Sequence, residues 1–346
     1  MRVGVLTGGG DCPGLNPAIR SIVMRALDYG DELVGLRQGW KGLRDGLTTP
    51  LTLEAVEPIV RQGGTILESS RTDPFKPVRA GDEETVNQCL DTAKRLQLDA
   101  LIALGGEDTL GAAHKMCARG LSCVGVPKTM DNDLNGTDYT FGFDSAVAVA
   151  MDAADRLQDT ARSHRRIMVL EVMGRHAGWV ALHTGVCAGA DWILIPEVPL
   201  DVAEMVDHVR KMKARGKEWG LVVVSEGVKV PERAEGERHE ADDFGHEKLG
   251  GIGDFIAAEI KKGAKIDTRY VSIGHVVRGG APTPFDRWLA TRTGLKAVDL
   301  AHEGKFDHMA ALQGTSIVAV PLEEAVAELK TVPPELYQEV KTLFSQ

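Results

Sequence analysis

The chain has 346 residues, of which 43% are apolar and 26% charged, so it can bury a sizeable core and does not have the composition of a disordered chain. Its length predicts two domains or one large one. Lys and Arg number 40 against 50 Asp and Glu, a net charge of −10 that argues against a general nucleic-acid or acidic-membrane surface, so an anionic ligand would need positive charge gathered locally.

Short β-rich apolar runs alternate with helical patterns along the chain. A strand is predicted over 3–7 and a helix over 16–29. A helix over 83–96 leads to a strand over 100–104, and a helix over 108–119 to a strand over 123–126. Then come a helix over 145–162, a strand over 167–172, a helix over 177–188, a strand over 192–195, a helix over 203–215 and a strand over 221–225. The polar, charged stretch 231–248 reads as a surface excursion. A strand over 271–274, a helix over 286–302 and a strand over 317–320 complete the series. Such alternation predicts an α/β protein with mainly parallel sheets flanked by helices. The cysteines are Cys12, Cys89, Cys117, Cys123 and Cys187. An odd count with no C-x-x-C pair points away from a disulfide framework or a zinc site and towards a reducing cytoplasm. No apolar run approaches the ~18 residues of a membrane helix, and no signal peptide precedes the first strand. Neither a membrane nor a nucleic-acid partner is expected.

In folds of this class ligands gather at the carboxyl ends of strands, and the glycines concentrate there. Gly8-Gly9-Gly10-Asp11-Cys12-Pro13-Gly14 joins a strand to a helix, where backbone N–H groups can approach a phosphate. It is neither G-x-G-x-x-G nor a P-loop, and an ordinary tight turn is the plain alternative. Gly105-Gly106-Glu107-Asp108-Thr109 opens another helix; its acids are either caps or a carboxylate holding Mg²⁺ beside a phosphate. Pro127-Lys128-Thr129-Met130-Asp131-Asn132-Asp133 packs a lysine, a hydroxyl and two carboxylates into a short segment after a strand. A hydroxyl acceptor needs a carboxylate base and a transferring phosphoryl group needs a fixed cation, while an Asx-rich turn would need neither. Arginines that could fork onto phosphate oxygens stand at Arg71, Arg166, Arg175, Arg269 and Arg278. Glu226, just past a strand, could accept from sugar hydroxyls.

In this order the segments resemble the phosphofructokinase family, from Gly8-Gly9-Gly10-Asp11 through 127–133 and Met173-Gly174-Arg175 to His275-Val276-Val277-Arg278-Gly279-Gly280. The resemblance implies two similar α/β domains, each a mainly parallel sheet flanked by helices, with the active site in the cleft between them. It places a donor domain at 1–142 plus 277–330 and a fructose 6-phosphate domain at 143–276 plus 331–346. It implies a cytoplasmic glycolytic enzyme that phosphorylates the 1-hydroxyl of fructose 6-phosphate. Gly10 resembles the glycine that lets the donor phosphate approach, Arg71 a phosphate-facing arginine, and Glu107 the Mg²⁺-binding acid. Asp131 resembles the base that accepts the hydroxyl proton, with Thr129 and Asp133 positioning substrate or metal. Met173, Gly174, Arg175, Glu226, His275 and Arg278 resemble fructose 6-phosphate contacts. Arg166 and Arg269 resemble arginines that reach the sugar phosphate from a neighbouring subunit, which implies a homodimer or homotetramer with shared sites. ATP-dependent bacterial relatives usually carry Gly-Gly-Asp-Gly-Ser and Pro-Gly-Thr-Ile-Asp. Here Asp108 and Lys128 replace glycines, as in the pyrophosphate-dependent branch, so pyrophosphate is the expected donor in a reversible reaction. An ATP-dependent enzyme of the same group is the nearest alternative. A silent regulatory subunit that only binds sugar phosphate is a more distant one, because Lys128, Asp131 and Asp133 are all present.

Overall fold

The computed structural model describes residues 1–76, 84–230 and 251–344. The stretch 231–248, expected as a surface excursion, lies outside the described residues. The chain divides into two compact units. One comprises Met1–Met130, Leu134–Ser145 and Arg278–Leu329, the other Asp131–Asp133, Ala146–Val277 and Lys330–Gln346.

The first unit is built on strands β1 (Arg2–Thr7), β2 (Glu32–Leu36), β3 (Thr48–Pro50), β4 (Ala100–Gly105), β5 (Cys123–Thr129) and β6 (Phe141–Gly142). The second contributes β7 (Ile167–Val172), β8 (Trp192–Leu194), β9 (Gly220–Ser225) and β10 (Thr268–Ser272), and the first is completed by β11 (His308–Gln313) and β12 (Ser316–Pro321). In the first unit the order is β12-β11-β5-β4-β1-β2-β3, with β6 pairing with β5. Among the described strands, only the β2–β3 and β11–β12 pairs are antiparallel. Every residue of β4 is buried, as expected of a parallel strand covered on both faces. The helix Leu15–Tyr29 packs on the helix Pro284–His302, and Arg25 Nε donates to Asp299 Oδ1 at 2.7 Å across that contact. Leu6, Trp40, Leu101, Leu110, Met116 and Leu322 belong to the core of this unit. In the second unit four parallel strands run in the order β10-β7-β9-β8. Among the described residues, no helix is long and apolar enough to cross a membrane.

Two predicted boundaries need correction. The strand expected at 271–274 runs instead over Thr268–Ser272, and Gly274–Arg278 forms a 3₁₀ turn. As an edge strand it leaves four of its five residues exposed, so no apolar run marks it. The strand expected at 123–126 continues to Thr129 through Pro127. Lys128 pairs with Phe141 and Thr129 with Gly142 of β6, so both belong to a strand end rather than to a following turn.

Candidate active site

The first unit contains the glycine loop, Arg71, Glu107, Asp108, Lys128, Thr129 and Arg278. The loop leaves β1 with Gly8 N–H on Leu104 O at 2.9 Å and Gly9 N–H on Ser70 O at 3.1 Å. Ser69 Oγ donates to Gly9 O, so the backbone leading to Arg71 is fastened beside the loop. Lys128 projects from β5 with only 3% of its surface exposed. Its ammonium donates to Gly8 O at 3.1 Å and also to Gly10 O. A cation is thereby built into the loop, where its charge is little screened by water. The Arg278 guanidinium closes on the same loop, donating through Nη1 to Asp11 O at 3.1 Å. A Cβ at residue 10 would stand 2.1 Å from that Nη1, so a larger residue there would push the guanidinium off the turn. Although resemblance groups Arg278 with the sugar-phosphate contacts, the structure seats it on the Gly10–Asp11 turn. Burial pushes the Cys12 thiol up to about 12, so it remains protonated and plays no nucleophilic part.

Glu107 and Asp108 form the first turn of the helix Glu107–Cys117, where the helix dipole favours negative charge. Asp108 Oδ1 accepts from Lys76 Nζ at 2.9 Å. Burial alone would pull the Lys76 ammonium down, but the bond and charge of Asp108, with Asp73 and Glu107 nearby, hold it above the ordinary lysine range. Lys76 is a residue that sequence reasoning missed. It lies 32 positions away in a segment without periodicity, and no local signal marks it.

The second unit contains Asp131, Asp133, Met173, Gly174, Arg175, Glu226 and His275. Gly174 follows β7 at φ 141°, a conformation that favours glycine. Its carbonyl accepts from Ser225 Oγ at 2.6 Å and Gly227 N–H at 3.0 Å. Glu226 N–H donates to Val172 O at 2.9 Å. The ends of β7 and β9 are therefore stitched together, which brings the Met173–Arg175 loop beside Glu226. His275 is exposed in the 3₁₀ turn after β10. Arg166 and Arg269 are not brought to this end. Both pair with Asp267, Arg166 Nε at 3.5 Å and Arg269 Nη1 at 2.9 Å. Arg166 precedes β7 and Met173 follows it, so the strand separates them by roughly 20 Å at about 3.3 Å per residue.

Asn132, between the two aspartates, takes φ 53° and is 2% exposed. Lys330 Nζ donates to its Oδ1 at 3.1 Å, and Lys330 N–H donates to Asp133 O at 2.8 Å. Lys330 is the second residue missed from the sequence, 198 positions from its partner.

The family model for phosphofructokinase matches residues 2–301. The pyrophosphate–fructose 6-phosphate 1-phosphotransferase of Dictyoglomus thermophilum is 53% identical over all of this chain and 99% of its own length. The ATP-dependent 6-phosphofructokinase 2 of Streptomyces coelicolor is 50% identical over 99% of this chain and 100% of its own. The pyrophosphate-named relative is the more similar of the two. Among solved structures, a Pichia pastoris phosphofructokinase in the T-state superposes with a TM-score of 0.82 at 28% identity. That match covers 99% of this chain, which spans 37% of the longer Pichia chain. With two full-length relatives at this identity and a family model matching most of its residues, the chain belongs to the phosphofructokinase family.

Proposed function

We propose that the chain transfers a phosphoryl group from pyrophosphate to the 1-hydroxyl of fructose 6-phosphate, giving fructose 1,6-bisphosphate and phosphate in a reversible glycolytic step. Asp131 accepts the hydroxyl proton as the new bond forms, with Thr129 and Asp133 positioning the acceptor. Met173, Gly174, Arg175, Glu226 and His275 hold the sugar phosphate. Gly10, Arg71, Lys128, Asp108 and Arg278 surround the donor, Arg278 reaching the sugar phosphate as well. The proposed chemistry places little covalent demand on the protein; positioning and fixed charge supply most of the acceleration.

Mg²⁺ fits the donor unit. Among the described residues no three His, Cys, Asp or Glu side chains gather around a metal position, but Mg²⁺ ordinarily takes one or two carboxylates and completes its shell with phosphate oxygens and water. Glu107, an exposed oxygen ligand opening a helix in the same unit as the glycine loop, is the residue that would hold it. When bound, the ion neutralises charge on the donor phosphates.

The donor reading is carried by Asp108 in the first turn of its helix, paired with Lys76. ATP extends beyond the reacting phosphates through an α-phosphate, a ribose and an adenine. A side chain at position 108 occupies space that glycine leaves open, and its charge opposes an α-phosphate. Because Lys76 shares that charge, the steric part is the larger. Lys128 supports the smaller, more densely charged donor with a compact cation. The ATP-named relative at 50% identity keeps ATP as the second reading. The test is Asp108→Gly. It should raise kcat/KM for ATP at least about tenfold, about 1.4 kcal/mol of transition-state binding. A loss of stability with no change in donor preference would reduce Asp108 to a helix cap.

We also propose a homodimer or homotetramer in which Arg166 and Arg269 serve a neighbouring subunit's sugar-phosphate site. Their Asp267-linked position at the amino ends of β7 and β10, away from Met173–Arg175, supports this. A reducing cytoplasm is proposed as its location; the five cysteines are free.

A further inference from the structure

The segment 330–332 lies outside every motif assigned above, yet it touches the two loops on which the acceptor chemistry depends. Lys330 bonds both residues that follow Asp131: its ammonium holds the Asn132 side chain at 3.1 Å and its N–H holds the Asp133 carbonyl at 2.8 Å. On its other side the same residue is fixed to the segment after Met173–His176. Trp179 Nε1 donates to Lys330 O at 2.9 Å, and the Lys330 ammonium sits 5.8 Å from the Trp179 ring centroid. Two positions on, Val332 N–H and Gly178 N–H converge on one oxygen, Glu197 Oε1, at 2.9 and 2.8 Å. All of these residues belong to the second unit.

We propose that Lys330 is a positioning residue: it splints the Asp131–Asp133 turn to the Gly178–Trp179 segment and so fixes the base relative to the loop that holds the sugar phosphate. The inference rests on the assignment of Asp131 as base. The physical need is local. Asn132 is held in the left-handed region, which non-glycine residues occupy at a cost, and the turn keeps that form only if its polar groups are tied down. A misplacement of about 1 Å at a reacting group can cost about 10²-fold in rate.

Lys330→Met keeps the length of the side chain and all backbone bonds while removing the ammonium. It should lower kcat about 10- to 100-fold with KM for fructose 6-phosphate changed less than about threefold, and Lys330→Arg should recover most of the loss. Asn132→Gly accepts the backbone angle and removes the acceptor. If the lysine acts through Asn132, the double variant should lose no more than the worse single one; losses that multiply would overturn the proposal. Hydrogen exchange over 127–135 gives a readout independent of turnover. Lys330→Met should raise exchange there several-fold and leave β7 unchanged. Unchanged exchange, or raised exchange with unaltered kcat, would overturn the positioning role. A parent protein inactive on fructose 6-phosphate with either donor would overturn the functional reading instead, and the exchange result would still decide whether Lys330 orders the turn.

Discussion

Replacing Asp131 by asparagine keeps the shape of the side chain and removes its capacity to take a proton. A positioned base contributes about 10²–10⁴-fold, so Asp131→Asn should lower kcat by that factor while fructose 6-phosphate still binds. Near-normal turnover would remove Asp131 from the role. The neighbouring residues show how much a sequence can disclose at this scale. As candidates, the glycine loop, Lys128 and the 127–133 segment were legible, because their residues are adjacent in the sequence. What Lys128 does with its charge was not: its contacts on Gly8 and Gly10 depend on β5 lying two strands from the loop's own strand. Lys76 and Lys330 were illegible for the same reason, since each meets its partner only after distant segments are folded together. Asp108 consequently changed meaning, from a bare charge to one half of an ion pair.

Among elements, the start of the helix Phe143–His164 is interlocked with the start of the helix Pro284–His302. Asp286, with none of its surface exposed, accepts from Ser145 N–H at 2.8 Å and Ser145 Oγ at 2.6 Å. Thr283 N–H donates to Ser145 Oγ at 3.0 Å, and Thr283 Oγ1 to Asp144 Oδ2 at 2.5 Å. Burial pushes the Asp286 carboxyl from 3.8 up to about 6, although the bonds from Ser145 oppose it. The folded state therefore takes up this proton more readily than the unfolded state. The contribution is complete below the unfolded value and is lost as pH rises through about 6, with a full size of roughly 3 kcal/mol. Asp286→Asn keeps an acceptor for Ser145 and does not titrate. Urea unfolding of parent and variant should show the parent gaining on the variant as pH falls from 7 to 4, and a pH-independent difference would contradict the burial argument. Fully buried strands such as β4 and β7 were legible from their apolar runs. The full extent of the edge strand β10, expected at 271–274 and found over Thr268–Ser272, was not, because its exposed residues carry no apolar pattern. Nor was β11, whose Met309-Ala310-Ala311-Leu312 core has little β-propensity.

For the whole molecule, two units carry different halves of the proposed chemistry, donor residues in one and acceptor residues in the other, and the chain passes from Thr129 of the first to Asp131 of the second within two residues. The α/β class was legible because strand–helix alternation is a local signal. The proposed subunit sharing rests on the pairing of Arg166 and Arg269 with Asp267 at the amino ends of β7 and β10. Arg166→Ala should raise KM for fructose 6-phosphate, and mixing it with Asp131→Asn should restore activity by forming sites that hold neither lesion; a fully active monomer at assay concentration would contradict sharing. The central claim concerns the donor, and the direct measurement is a pair of initial rates on the unmodified protein, with pyrophosphate and with ATP, at fixed Mg²⁺ and fructose 6-phosphate. The account predicts that kcat/KM for pyrophosphate exceeds that for ATP by at least about tenfold, the size assigned to the Asp108 side chain. Efficient turnover of ATP with poor use of pyrophosphate would contradict it and install the ATP-dependent reading.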